Sequence, residues 1–173
     1  AMKRWGIIAL FATTLVACTH KYATDAVQVP QQRLDRAAAV YIIMPQPGSY
    51  GATRYPESGR HVARAAHAAF AKFTSKVVAG DAPESLDSAR RKAVAANVAY
   101  IFEPTILNWE DRATEWSGLP DRITVKMVIW NAKTGSEVAS TLARASSKWA
   151  TFGGDHPQDL LPELMANFVD RLY

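Results

Sequence analysis

Arg122-Ile123-Thr124-Val125-Lys126-Met127-Val128-Ile129-Trp130 alternates along its length. Ile123, Val125, Met127 and Ile129 point one way; Thr124, Lys126, Val128 and Trp130 point the other. A period of two is the mark of a β-strand. Asn131-Ala132-Lys133-Thr134-Gly135 follows, with Gly135 placed for positive φ, so Val138 to Ser146 reads as the return strand of a hairpin. The rest of the chain has to supply the strands that extend this hairpin and the helices that cover it.

Upstream, Val98 to Asn108 reads as a strand. Strict alternation puts Ile101, Thr105, Leu107 and Trp109 on one face and Tyr100, Phe102 and Ile106 on the other. Pro104 cannot donate to a ladder, which predicts an edge or a bulge there. Ala38 to Met44 is a continuous apolar run stopped by Pro45. Its length and its β-branched and aromatic content fit a strand covered on both faces. Between these strands lie two helical patterns. Ser58 is placed to cap the first, in which Val62, Ala65, Ala66, Ala69, Phe70 and Phe73 form a stripe. Pro83-Glu84-Ser85 opens the second, to about Ala96, with Leu86, Ala89, Ala93 and Ala96 inside and Arg90-Arg91-Lys92 solvated. Lys76 to Ala79 suggests a short strand, which Gly80-Asp81 ends. Downstream, Asp155 is placed to cap a last helix with Pro157 in its first turn and Leu161, Leu164, Phe168 and Leu172 as its inner face.

The order β-α-(β)-α-β-β-β-α predicts an α/β (α+β) fold: one mixed sheet with helices packed on it. The early crossovers imply parallel pairing, and the later hairpin adds antiparallel strands. One globular domain is expected over residues 37–173. Residues 18–36 read as a polar tether; as a coil of about 18 residues it spans roughly 25 Å. A short edge strand at Val27-Gln28-Val29 is the alternative.

The N-terminus carries a location signal. Met2-Lys3-Arg4 is a basic start, and Trp5 to Ala17 is an apolar run of 13 residues. A spanning helix needs about 20, so residues 1–17 read as a secretory signal peptide. Ala1, ahead of Met2, reads as a cloning scar. The run ends on Leu15-Val16-Ala17-Cys18, which resembles the lipobox of bacterial lipoproteins. That resemblance implies cleavage after Ala17 and lipidation of Cys18. Thr19 follows in place of the aspartate that favours inner-membrane retention, which implies the periplasmic face of the outer membrane. Tyr41-Ile42-Ile43-Met44-Pro45, the Ser58-Gly59 helix start, Asn97-Val98-Ala99-Tyr100-Ile101 and the Lys133-Thr134-Gly135 turn resemble a family of small proteobacterial lipoproteins of unknown function. The topology is similar to the N-terminal domain of TolB and to the lipoprotein activator of a peptidoglycan synthase. By that resemblance the protein is a binding or accessory module of the envelope and not an enzyme.

Composition narrows the partners. The formal net charge of the 173 residues is +4, and losing Lys3 and Arg4 with the signal leaves +2. That is too mild and too dispersed for a nucleic-acid surface. Cys18 is the only cysteine, so a lipid on it removes the thiol from disulfide, metal and nucleophile chemistry. His20, His61, His67 and His156 show no spacing for a zinc site. No cofactor or metal is expected, and no Gly-x-Ser-x-Gly elbow or phosphate loop occurs. Gly153-Gly154-Asp155 reads as a plain helix cap. Trp130 and Trp149 read as cross-strand packing. Trp109, Glu110, Asp111, Arg112, Glu115 and Trp116 crowd the loop from Asn108 to Arg122. An aromatic anchor with a charged rim is the composition of an interface. Two plainer readings stand beside it: a solvated loop with surface ion pairs, and core packing for Trp109. The alternative function is a hydrolase or lyase that attacks an envelope polymer through the carboxylates of this loop.

Overall fold

The structure is a computed structural model, and it describes residues 20–28, 30–112, 119–148 and 156–173. The expected signal peptide, Cys18, Glu115, Trp116, Trp149 and Gly153-Gly154-Asp155 lie outside the described residues. The elements are β1 (Lys21–Gln28), β2 (Val40–Met44), β3 (Ser49–Tyr50), β4 (Thr53–Arg54), α1 (Ser58–Phe70), β5 (Val77–Pro83), α2 (Leu86–Ala95), β6 (Tyr100–Glu110), β7 (Arg122–Asn131) and β8 (Glu137–Ser146). A 3₁₀ turn at Pro157–Leu160 then runs into α3 (Leu161–Val169). Six strands form one mixed sheet in the order β1-β8-β7-β6-β2-β5, and β3 and β4 make a small separate ribbon. β2 runs parallel to both β5 and β6, and the other pairings in the sheet are antiparallel. This is the expected mixed α+β architecture, with three helices packed on the sheet.

The two faces of β2 explain its unbroken apolar run. Val40 and Ile42 enter the main core with Val62, Ala66 and Phe70 of α1 and Leu164, Met165 and Phe168 of α3. Tyr41 and Ile43 enter a second core with Ala89 and Ala93 of α2, Val98 and Ile101. α1 and α2 each cross over between parallel strands, which is how a parallel pairing comes to be buried on both sides. Ile123, Val125, Met127 and Ile129 of β7 line the main core as their alternation requires. The turn before β8 places Gly135 at φ 77.

Several local expectations are corrected. Ser58 is the first residue of α1 and not its cap; Glu57 takes that position without a side-chain hydrogen bond. The Ser58 hydroxyl instead accepts from the Gly48 amide at 2.7 Å and donates to the Tyr55 carbonyl at 2.6 Å, pinning the loop before the helix. Gly59 is required at this start, because a Cβ there would lie 2.4 Å from the Pro45 carbonyl oxygen. Gly80 and Asp81 do not end β5 but lie within it. Ala96 is exposed. In β6 the register shifts between Ile106 and Asn108. A bulge of one residue flips the side chains beyond it, so Trp109 joins Phe102 and Ile106 on the main-core face. Pro104 lies past Phe102, the last residue of β6 paired with β2, so its missing N–H falls where β6 has an open side.

The largest departure is at the start. The stretch expected as a tether carries β1, eight residues paired antiparallel to β8 from Lys21↔Ser146 to Gln28↔Ser140. Edge strands need only one set of ladder bonds, and charged residues such as Lys21 and Asp25 keep them from pairing further. Leu34 is buried, and its amide donates to the Leu172 carbonyl at 2.7 Å, tying the following segment to the end of the chain.

The core predicts unequal costs of truncation. Phe168 is 5% exposed and buried in the core, while Arg91 of α2 is exposed. Phe168→Ala is expected to cost about 3–5 kcal/mol and to lower the melting midpoint by roughly 10 °C. Arg91→Ala leaves it within a degree or so, since surface substitutions cost little. Thermal denaturation of both variants by circular dichroism checks the facing of the helices.

Candidate functional site

The loop between β6 and β7 is held at its base by charged groups. Glu110, the last residue of β6, is 8% exposed. Its Oε1 accepts from the Asn108 side-chain Nδ2 at 3.0 Å, and its Oε2 accepts from Arg112 Nε at 2.9 Å and Nη2 at 2.8 Å. Arg112 also donates to the Tyr50 hydroxyl at 2.7 Å and lies 5.1 Å from that ring's centroid, which ties the loop to the β3–β4 ribbon. Donating to the Glu110 carboxylate pushes the Arg112 guanidinium pKa up. The Arg112 amide donates to Asp121 Oδ1 at 2.6 Å, and Asp121 exchanges hydrogen bonds with Ser147 at 2.9 and 3.0 Å. Asp121 is fully buried. The start and end of the loop are therefore cross-linked to each other and to the segment after β8.

The six residues expected to form a working surface separate here. Trp109 is 2% exposed and belongs to the core, so it offers no contact surface. Glu110 and Arg112 form the ion pair that anchors the loop. Asp111 is exposed, with His156 Nδ1 at 3.5 Å from its Oδ1. Glu115 and Trp116 lie outside the described residues. Chemically, the arrangement positions the loop. Both oxygens of Glu110 are taken by donors from the protein, which is poor geometry for a group that must exchange a proton with a substrate. Among the described residues no three of His, Cys, Asp and Glu converge as metal ligands, and no helix is long and apolar enough to cross a membrane.

A second polar cluster was not anticipated. Glu84 accepts from Lys92 at 2.8 Å and Ser88 at 2.9 Å, and it also accepts a short hydrogen bond from the Tyr41 hydroxyl. Glu84, Ser88 and Lys92 recur every four residues, the spacing of one helix face, and that was the available signal. Tyr41 comes from β2, a contact that only the tertiary structure makes. Burial on its own would raise the Glu84 pKa, but the hydrogen bonds from Lys92, then Tyr41 and Ser88, outweigh it and hold the carboxyl below its ordinary range. Burial first, and then Glu84, pushes the Tyr41 hydroxyl up. The cluster fastens the start of α2 to β2.

A third feature is an open groove of about 400 Å³ at the end of the sheet where β1 begins. It is lined in part by Lys21, Asn108, Glu110, Arg122, Thr124 and Arg144.

Residues 32–172 match the model of a family described as Domain of unknown function (DUF4823). No curated protein matches the chain. Among solved structures, the PelC dodecamer from Paraburkholderia phytofirmans is similar with a TM-score of 0.67 at 15% identity, over 89% of this chain and 97% of that one. The lipoprotein GNA1162 from Neisseria meningitidis matches with a TM-score of 0.49 at 12% identity, over 78% of this chain and 96% of that one. A DUF330 protein from Xanthomonas campestris matches with a TM-score of 0.49 at 9% identity, over 79% and 81%. At these identities the likeness to PelC is one of fold.

The Glu84 cluster generates a pH test. A carboxyl whose folded pKa is lowered adds stability above its unfolded pKa, near 4.5, and that stability is lost as pH falls through the folded value. Glu84→Gln should therefore lower the melting midpoint at neutral pH. It should also narrow the gap to wild type as pH drops below about 4. Melting curves across that range check it.

Proposed function

Starting from a chain that belongs to the family described as Domain of unknown function (DUF4823), we propose that it is a lipid-anchored, non-catalytic envelope protein. It works as a binding or accessory module on the periplasmic face of the outer membrane. The lipobox-like Leu15-Val16-Ala17-Cys18 supports the anchor. The observation that carries the rest is the position of β1. The sheet begins at Lys21, three residues after Cys18, so the anchor is wired to the sheet and not to a free arm. The fold shared with PelC, whose solved structure is a dodecamer, is compatible with a module that acts by assembly and contact.

The contact surface we assign is the loop from Asn108 to Arg122, with Asp111 and Arg112 at its base and Glu115 and Trp116 in its span. Its described ends are cross-linked to each other at the end of a rigid sheet, the usual setting for a binding loop. It leaves the sheet at the end where β1 starts, since Lys21, Ser146, Arg122 and Glu110 share one rung. An envelope protein or a glycan would meet it close to the membrane. The reading as a carboxylate hydrolase or lyase gains nothing from Glu110, which is bound on both oxygens.

Two experiments test the proposal. Cys18→Ala should give unacylated precursor or soluble protein, and wild type should fractionate with outer membranes at an intact mass that includes acyl chains. Wild-type protein that stays soluble with unmodified Cys18 sinks the anchor. For the loop, Trp116→Ala should leave the melting midpoint nearly unchanged and remove a crosslinked envelope partner. A destabilised fold with no lost contact would make Trp116 structural. Hydrolytic activity lost in Glu110→Gln with the fold intact would overturn the non-enzyme reading.

A further inference from the structure

β1 fixes the anchor's distance from a particular set of charges. Its register places Lys21 opposite Ser146, Ser146 opposite Arg122 and Arg122 opposite Glu110. Two residues further along, Ala23, Arg144, Thr124 and Asn108 form the next rung on the same face. Ile123, Val125, Ala143 and Ala145 alternate with these positions and pack into the main core, so the two rungs face away from α1 and α3. α2 covers that outer face only around β2 and its neighbours. The rungs floor the groove of about 400 Å³.

The groove is cationic. Lys21, Arg122 and Arg144 are exposed. The carboxylate in its lining, Glu110, is already occupied by Arg112 and Asn108. Arg144 is paired with the exposed Asp25 of β1. Among the described residues, Lys21 and Arg122 have no ion-pair partner. Lys126 is exposed one rung further in.

Distance decides whether these charges matter to a membrane. Had residues 18–36 been a coil, the domain would sit roughly 25 Å from its anchor. The Debye length at physiological ionic strength is about 8 Å, so headgroup charge would be screened out. With β1 in the sheet, only the three residue steps from Cys18 to Lys21 separate the anchor from the groove, and they span at most about 10 Å.

We propose that this groove docks on the phosphate groups of anionic lipids in the membrane that holds the acyl chains of Cys18. Lys21 and Arg122 make the contacts, and guanidinium suits phosphate by its paired donors. The lipid supplies affinity. The groove supplies orientation, turning the outer face of the β1–β8–β7–β6 end toward the bilayer. The proposal rests on the anchor at Cys18.

The test uses the acylated mature protein in vesicles of phosphatidylcholine containing phosphatidylglycerol, against vesicles of phosphatidylcholine alone. A water-soluble amine-acylating reagent is applied, and the modification rates of Lys21 and Lys133 are read by peptide mass. Lys133 lies in the β7–β8 turn, at the far end of the hairpin, and serves as the internal reference. Lys21 is expected to react roughly fivefold more slowly on the anionic vesicles, the effect of about one cation's attraction to such a surface. High salt should abolish the difference, and Lys133 should react alike on both. Arg122→Gln, at an exposed position, should keep the melting midpoint and lose most of the Lys21 protection. Equal Lys21 rates on the two vesicles, or protection unchanged in Arg122→Gln, overturn the groove while leaving the anchor standing. An intact mass without acyl chains removes the anchor, and this proposal falls with it.

Discussion

Burial of β2 on both faces is the constraint from which the architecture follows. Val40, Tyr41, Ile42 and Ile43 are all 7% exposed or less. A strand with no polar side must have a helical layer above and below it, and parallel neighbours reached by crossovers provide both layers at once. α1 fills one side with Val62, Ala66 and Phe70, and α2 fills the other with the small faces of Ala89 and Ala93. The small residues on α2 let its backbone lie close to the sheet. That close approach brings Glu84, at the start of the helix, within reach of the Tyr41 hydroxyl. The polar cluster is thus a consequence of the apolar one.

Away from β2 the sheet changes character. β6, β7 and β8 form an antiparallel meander with one dry face, closed by α3 and by Trp109. The alternation in β7 and the Gly135 turn made this half legible from sequence, because one buried face leaves a period-two signature that no helix mimics. Trp109 was misplaced because a bulge leaves no compositional mark: Leu107 and Asn108 look like any other strand residues. The shift in register is decided by which large side chain the core can accept, and the core beneath β6 accepts Trp109. A second strand face then becomes polar at its end, with Asn108 and Glu110 side by side.

β1 was illegible for a different reason. Lys21-Tyr22-Ala23-Thr24-Asp25 buries little, since an edge strand facing water on its outer side needs only its ladder to β8 and a few partly covered side chains such as Tyr22. Backbone hydrogen bonds carry no side-chain code, so a polar segment of the right length reads as linker. Of the loop chemistry, the residue types were visible and their roles were not. Charge and aromaticity marked Trp109 to Trp116 as unusual, but the division between a buried Trp109, a structural Glu110–Arg112 pair and an exposed Asp111 depends on how the ends of β6 and β7 meet.

The same strand that hid from the sequence bears most on the proposed function. A lipid on a free arm holds a domain near a surface but leaves its orientation to rotational diffusion. A lipid three residues from a strand in the sheet restricts both, because the strand cannot turn without the five others. The energy that keeps β1 in place is modest, since its side chains from Lys21 to Asp25 bury little. Its hydrogen bonds to β8, the Asp25–Arg144 pair and the Thr141 hydroxyl bound to the Asp25 carbonyl at 3.2 Å do most of the holding. A load entering the chain ahead of Lys21 therefore meets the β1 edge of the sheet first, and β8, directly beside it, runs into Ser147, which is hydrogen-bonded to Asp121 just before β7. Those residues close the loop between β6 and β7. A displacement of β1 is passed through β8 to the base of that loop, and under the proposed function this sets the lipid anchor and the contact loop in mechanical series.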